Sequence, residues 1–500
     1  MQIFATNLMN NEGTLKKSIE GGKWIFLNTF FQKLISAASF FILARLLLPH
    51  DFGIIAIIFI LPSLMELFLS PDFSTAIIQK REDPYRYLNQ IWTFNLYKSA
   101  LVAILIFFGA PFIAEFFGVR EAVNAIRLSS LIIILPALAN PAQIFFFKNI
   151  DFKKIFIRDV SAAVAYSAVA ITLAFFLKSF WALFAGNVAQ LAIASSTTYS
   201  LHPFRPKISS RFKNLFSLWD YIKWLYGQGL VNKIVPSLEN GLVAKMTNAN
   251  QLGLFNRAKN LVSIPVSPFY NIIQRVTFPA YARLQDSHEK IKDGFLKSLH
   301  IIFFVSIPTA ILFFEASHNI ILVLLGPNWL DMDITLKIFG LNLIFNIFPL
   351  ASTQILNAIG KPNTQFKMGL INLGLLSIFM AILIPLKGIN GAAFAILLTT
   401  LCLSFITMRK IMSILKIRTR EIISPMTIPI FSSLFVLFIG RIFLRILEPL
   451  GNFEFIGLVA FLGIIYILLI VLSGIFVKHG PYDTLKIIFG EIFPKKQKNG

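Results

Sequence analysis

Long uncharged apolar runs alternate along this chain with short polar segments. The runs 128–147, 179–201, 338–360, 368–386, 388–408, 422–440 and 455–477 contain no Asp, Glu, Lys or Arg. Each is near the roughly 20 residues that a helix needs to cross a bilayer. A soluble core would supply one or two such runs, not seven. The pattern predicts an all-α polytopic membrane protein of about fourteen spanning helices. Their expected limits are about 24–47, 52–70, 90–117, 126–147, 157–177, 180–201, 219–245, 252–274, 295–325, 334–357, 365–386, 389–408, 422–446 and 454–477. The third and ninth are long enough to tilt or break, with kinks expected at Pro111 and Pro308.

The first of these stretches has a second copy. At an offset of 200, Lys23-Trp24 falls on Lys223-Trp224, Lys33 on Lys233, Ala44-Arg45 on Ala244-Lys245 and Gly53 on Gly253. Leu61 and Ser63 fall on Leu261 and Ser263. Matching charges inside apolar helices carry more weight than matching leucines, because such charges are costly and rare. A duplicated architecture follows. It predicts two pseudo-symmetric six-helix lobes, 1–201 and 219–412, joined by a basic linker at 202–218. Two appended helices and a basic tail fill 413–500.

Composition agrees: 56% of the residues are hydrophobic, 14% are charged and the mean hydropathy is +0.72. The net charge of +22 must then lie mostly outside the bilayer. Of the 46 Lys and Arg, 31 fall in the alternate segments that are inside if the N-terminus is cytoplasmic, and seven in the outside ones. The positive-inside rule thus supports an even number of spans and two cytoplasmic termini. Basic loops beside anionic headgroups account for this charge without nucleic acid. The single cysteine, Cys402, excludes an intrachain disulfide and suggests no metal site. The first apolar segment is too long for a signal peptide and is expected to remain as a span.

Charges within spans are the candidate chemistry. Lys33 and Lys233 lie about nine residues into their helices, roughly 14 Å deep at 1.5 Å per residue. Each either lines a hydrated cavity or pairs with a carboxylate on another helix. Arg45, Lys245, Arg257 and Lys259 sit near outer helix ends, where snorkelling to headgroups competes with cavity lining. Asn28 and Gln32 are one turn apart beside Lys33, and Gln228 and Asn232 repeat that spacing beside Lys233. The repeated polar stripe suits a cavity wall, or else polar glue between helices. Glu66 and Glu239 are candidates for binding a coupling proton or cation, with a salt bridge across helices as the alternative; Glu315 is a third acid within a span.

The residues also resemble a known family. Ala44-Arg45-Leu46-Leu47-Leu48-Pro49-His50-Asp51-Phe52-Gly53, Ala76-Ile77-Ile78-Gln79-Lys80-Arg81 and Gly253-Leu254-Phe255-Asn256-Arg257-Ala258 carry the likeness. So do Phe278-Pro279-Ala280-Tyr281-Ala282-Arg283-Leu284, Leu325-Gly326-Pro327-Asn328-Trp329 and Asn357-Ala358-Ile359-Gly360-Lys361-Pro362. The chain is similar to bacterial polysaccharide and oligosaccharide flippases of the O-antigen and exopolysaccharide type, within the multidrug/oligosaccharidyl-lipid/polysaccharide exporter superfamily. It departs at Pro71-Asp72-Phe73, where relatives carry a glycine-rich step. The resemblance implies two lobes around a central cavity, alternating access, and a polyprenyl-diphosphate-linked oligosaccharide as cargo. It also implies an inner-membrane location, no cofactor, function as a monomer, and glycan polymerase or chain-length proteins as partners.

A cationic interior would hold the diphosphate through charge-assisted hydrogen bonds, and amides would meet glycan hydroxyls. Two other transport readings share the superfamily: a drug exporter and a peptidoglycan-precursor flippase. A membrane glycan polymerase or ligase would need a large outer loop or acidic catalytic motifs, and the outer loops are short. No phosphate-cradling glycine loop, HExxH or nucleophile elbow is present, so the chain is expected not to be an enzyme. A non-transporting scaffold would tolerate neutralised mid-membrane lysines.

Overall fold

The computed structural model describes residues 2–69, 83–149, 151–209, 212, 219–283, 287–359, 362–447 and 452–476, and the side chains of most of them. The described chain is all-helical. The helices are α1 (Gln2–Leu46), α2 (Pro49–Leu69), α3 (Tyr85–Phe117), α4 (Val123–Leu128), α5 (Ser130–Ala137), α6 (Ile144–Lys148), α7 (Phe152–Leu177), α8 (Trp181–Leu201) and α9 (Trp219–Met246). They continue as α10 (Ala249–Arg283), α11 (His288–Glu315), α12 (Ser317–Leu324), α13 (Asp333–Ala358), α14 (Pro362–Leu415), α15 (Thr419–Leu447) and α16 (Asn452–Phe476). The motif Ala76–Arg81 and the departure at Pro71-Asp72-Phe73 lie outside the described residues.

Among the described residues, eight helices are long and apolar enough to cross a membrane. A ninth is counted if Arg120–Ala137 and Pro141–Lys148, bent by 59°, form one span. Four segments also expected to span, α2, α8, α9 and α10, are not among them. Of these, α2 is apolar over Pro49–Met65 but short there, and α8 is interrupted by polar side chains such as Gln190, Ser195 and Thr198. Such groups suit a helix that faces protein or a hydrated interior, not one ringed by lipid.

Helix α3 continues through Pro111 and α11 through Pro308. A bend of 59° falls beside Asn140, whose extended backbone starts a new turn at Pro141. The Asn140 carboxamide oxygen accepts from the Ala142 N–H at 3.0 Å, and its nitrogen donates to the Phe204 carbonyl at 2.7 Å. A second break lies between Glu315 and Ser317. Helix α14 is interrupted at Lys387-Gly388, where Gly388 takes a φ of +56° that only glycine adopts without strain. Helix α1 begins at Gln2, well before the first apolar residue expected in the bilayer, because no proline interrupts the N-terminal segment.

Two compact units divide the chain, Met1–Gly253 and Leu254–Gly500. In the first, α7 packs along α8 and α1, α3 along α5, and α2 along α9. Small residues bring α7 and α8 together: a Cβ on Gly186 would sit 2.7 Å from the Ala170 Cβ. Without a hydrophobic drive between helices in lipid, this close approach supplies the attraction. Leu43, Leu47, Ala174, Ala182 and Leu183 complete that core. The first unit extends beyond the 202–218 linker because α9 lies along α2, where Ser63 and Ser237 share a hydrogen bond of 3.4 Å. In the second unit, α11 packs on α13 and α15, and α13 on α14. Ile302, Phe303, Ile347 and Ile355 are fully buried at its centre. Very exposed aromatics such as Phe112, Phe176 and Phe431 form the apolar exterior expected next to lipid tails.

The start of the linker is docked. The Lys207 N–H donates to Asn89 Oδ1 and the Ser209 N–H to Thr93 Oγ1, both at 2.9 Å. His202 caps α8 there: its ring stacks on Phe145, and its Nδ1 accepts from the Phe204 N–H at 3.1 Å. Burial, with Lys154 and Arg205 nearby, pushes its pKa below 6.5. The unfolded chain therefore binds the proton more readily. His202 contributes stability that is complete above 6.5 and is lost as pH falls below that value. Thermal melts of the purified protein should fall from about pH 8 to about pH 5, and His202→Asn should flatten that slope.

Candidate functional site

Lysines 33 and 233 are placed alike: both are exposed on the first unit, one on α1 and one on α9. Arg45 is exposed, Lys259 is half-buried, and Arg257 and Glu239 are buried. Each of these six groups makes at least one polar, charged or ring interaction. The Arg257 guanidinium lies 5.9 Å from the Trp329 ring, within the second unit. The Lys245 ammonium donates to the Phe116 carbonyl at 2.8 Å and sits 4.1 Å from that residue's ring. That carbonyl belongs to the last turn of α3, where main-chain oxygens lack helical partners. Glu66, Gln228 and Asn232 lie on described helices, but their side chains fall outside the described ones. Glu315 forms an ion pair with Arg441 at 2.5 Å.

The structure does bring Asn28 and Gln32 into a polar network. Gln32 donates to Asn28 Oδ1 at 3.2 Å, and Asn28 donates to Asp159 Oδ2 at 3.0 Å. The other Asp159 oxygen accepts from Arg158 Nε at 2.8 Å and faces its terminal nitrogen at 2.7 Å. The second terminal nitrogen of Arg158 donates to Gln143 Oε1 at 2.8 Å. The Arg158 and Asp159 side chains retain only 19% and 22% of their exposure. Beside them, α1, α5, α7 and α8 line a partly open cavity of about 290 Å³ that Gln190 and Ser195 also border.

Arg158 is one of the 31 cations in segments expected to be cytoplasmic, and Asp159, Gln143 and Gln190 were not among the expected site residues. A signal was available. Asp159 is the one acid of α7, set beside Arg158 at the start of its apolar stretch, and Asn28 already marked the facing helix.

A second arrangement joins the two copies of the repeat. A Cβ on Gly53 would overlap the carbonyl of Ala249, and a Cβ on Gly253 would overlap the carbonyl of Pro49. Positions 53 and 253, like 49 and 249, are related by the offset of 200. The first turns of α2 and α10 thus meet backbone to backbone through a reciprocal pair of glycines within the first unit. Only residues lacking a side chain allow this approach.

The chain is 22% identical to the lipopolysaccharide biosynthesis protein WzxC of Escherichia coli K12, over 63% of this chain and 64% of that one. It therefore spans just under two thirds of that relative's length. It is 23% identical to the teichuronic acid biosynthesis protein TuaB of Bacillus subtilis 168, over 73% and 77%. Among solved structures, the lipid II flippase MurJ in an inward closed conformation superposes with a TM-score of 0.71, covering 90% of this chain and 98% of MurJ at 15% identity. An inward-facing multidrug transporter of the MATE family gives a TM-score of 0.59 at 14% identity, covering 77% and 96%. The chain shares the fold of both. The apolar helices and these likenesses make the chain a multi-pass membrane protein. Residues 42–334, more than half of its length, match the family described as polysaccharide biosynthesis protein, and the chain belongs to that family.

Proposed function

We propose that the protein flips a polyprenyl-diphosphate-linked oligosaccharide, a repeat unit of lipopolysaccharide, O-antigen or exopolysaccharide, across the inner membrane by alternating access. The observation that carries this reading is the family match over residues 42–334. The low identities leave the particular glycan open to experiment. Fourteen spans form two six-helix lobes, 1–201 and 219–412, with the linker 202–218, two appended helices and a basic tail in 413–500. Both termini are cytoplasmic. The chain is a transporter, not an enzyme, and acts as a monomer beside glycan polymerase or chain-length proteins.

Lys33 and Lys233 attract the diphosphate, with Arg45 and Lys259 toward the outer side. Lys245 and Arg257 support the site through their contacts with Phe116 and Trp329. Asn28, Gln32, Gln228 and Asn232 add the polar lining, and Glu66 or Glu239 carries a coupling ion. Outward movement of one negative charge through an inside-negative field gains about 2.3 kcal/mol per 100 mV, so the cargo's own charge assists export.

Deletion followed by lipid analysis tests the reading. Polyprenyl-diphosphate-linked oligosaccharide should accumulate on the cytoplasmic face; loss of that lipid before assembly would point to an enzyme instead. In complementation, Lys33→Ala and Lys233→Ala should each reduce export by about tenfold at normal expression, equivalent to about 1.4 kcal/mol. Wild-type export by both variants would sink the cationic site.

A further inference from the structure

The cavity walled by α1, α5, α7 and α8 has an unusual charge balance for a protein of net charge +22. Its charged groups are Arg158 and Asp159, and they are bonded to each other. The rest of its polar wall is uncharged carboxamide and hydroxyl, including Gln32, Gln143 and Gln190. A phosphate entering here would find its cation already neutralised, and its desolvation would go uncompensated. A neutral polyhydroxylated ligand would find donors and acceptors. The Gln190 carboxamide makes no hydrogen bond among the described residues, so it can both donate and accept. The Gln143 oxygen is already committed to Arg158, which leaves its NH2 group to donate. Apolar wall comes from small side chains such as Ala162, Ala163 and Ala194, low enough to lie against the C–H face of a sugar ring. At about 290 Å³ the cavity lies at the lower end of small-ligand pockets, the scale of one or two sugar rings and not of a whole repeat unit.

We propose that this cavity is a saccharide subsite that takes one uncharged sugar residue of the cargo glycan, separate from the lysines that attract its diphosphate. Resting on the flippase reading, it divides recognition in two: charge selects the lipid diphosphate, and the amide-lined cavity selects the sugar. Gln190 is its specificity-determining residue. The Arg158–Asp159 pair, braced by Asn28 and Gln143, holds the wall in place.

The single native cysteine permits a direct test. In full-length protein carrying Cys402→Ser, Ala194→Cys places one thiol in the cavity and Ser200→Cys places a control thiol on the exposed end of α8. Maleimide labelling is followed with glucose, galactose, N-acetylglucosamine or glucuronic acid, and with inorganic pyrophosphate. At about 10 mM of a sugar whose Kd is about 1 mM, labelling at position 194 should slow by about tenfold. The control should not change, and Gln190→Leu should abolish the protection. No slowing by any sugar would overturn the proposal. So would slowing by pyrophosphate alone, equal slowing at the control thiol, or protection that survives Gln190→Leu. The flippase reading is judged separately, by lipid accumulation in the deletion strain, so either can fail while the other stands.

Discussion

Gly53→Leu should nearly abolish export and lower the thermal midpoint of the purified protein, and Gly253→Leu should do the same. At both positions the obstacle to a side chain is backbone, the carbonyl of Ala249 or of Pro49, so no rotamer change relieves it. Overpacking of this kind costs about 1–3 kcal/mol and sometimes more. Even Gly53→Ala should be felt, because the first added carbon already collides. Gly241→Ala makes the control: nothing lies within 4 Å of a Cβ there, so that helical substitution should be neutral or stabilising by about 0.5–1 kcal/mol. If Gly53→Ala behaved like Gly241→Ala in melts and in export, the close seam between α2 and α10 would have no energetic weight. With a cytoplasmic N-terminus the seam lies at the outer ends of these helices. A variant that folds but cannot close it should leak or stall, with lipid-linked cargo accumulating as in a deletion.

The second large effect is expected at Asp159. Asp159→Leu removes the acceptor of both Arg158 and Asn28 and strands a guanidinium that is mostly shielded from water. Breaking a fully buried pair costs about 3–5 kcal/mol. The residual exposure of these two side chains reduces that to about 1–3 kcal/mol. Asp159→Asn keeps an acceptor for Asn28 but loses the charge, and should cost less. The double variant Arg158→Leu/Asp159→Leu leaves no unpaired charge, so its stability should recover toward wild type. Export by the double variant should stay low, because Asn28 and Gln143 then lose the pair that holds them on the cavity wall. Recovery of both stability and export would reduce the pair to structural glue. An Asp159→Leu melt equal to wild type would mean that Arg158 finds another partner.

Much of the helical layout was legible along the chain, because spanning helices must satisfy their backbone internally and expose apolar side chains for about 20 residues. The uncharged run 455–477 and the observed α16, Asn452–Phe476, coincide for that reason. What holds a break in place was less legible. Asn140, at the 59° bend, is held by Ala142, Phe204 and Thr198, which come together only in the folded bundle. Helices α8 and α9 carry polar groups for a related reason. Gln190 and Glu239 are affordable in a helix only when tertiary neighbours or water receive them.

The candidate site divides in the same way. Asn28 and Gln32 were recognisable as a polar stripe, and the Gly53/Gly253 equivalence was readable from the offset of 200 alone. Composition, periodicity and loop charge by themselves determined an all-helical membrane protein, since those properties are local and the bilayer acts on each segment separately. Which polar groups meet was decided only by tertiary structure. Asp159 stands 131 residues from Asn28, and Gly53 stands 196 residues from the Ala249 carbonyl it admits. No local pattern encodes such pairings, because they arise when packing removes water and leaves each buried donor, acceptor or bare Cα only the partner that the fold brings to it.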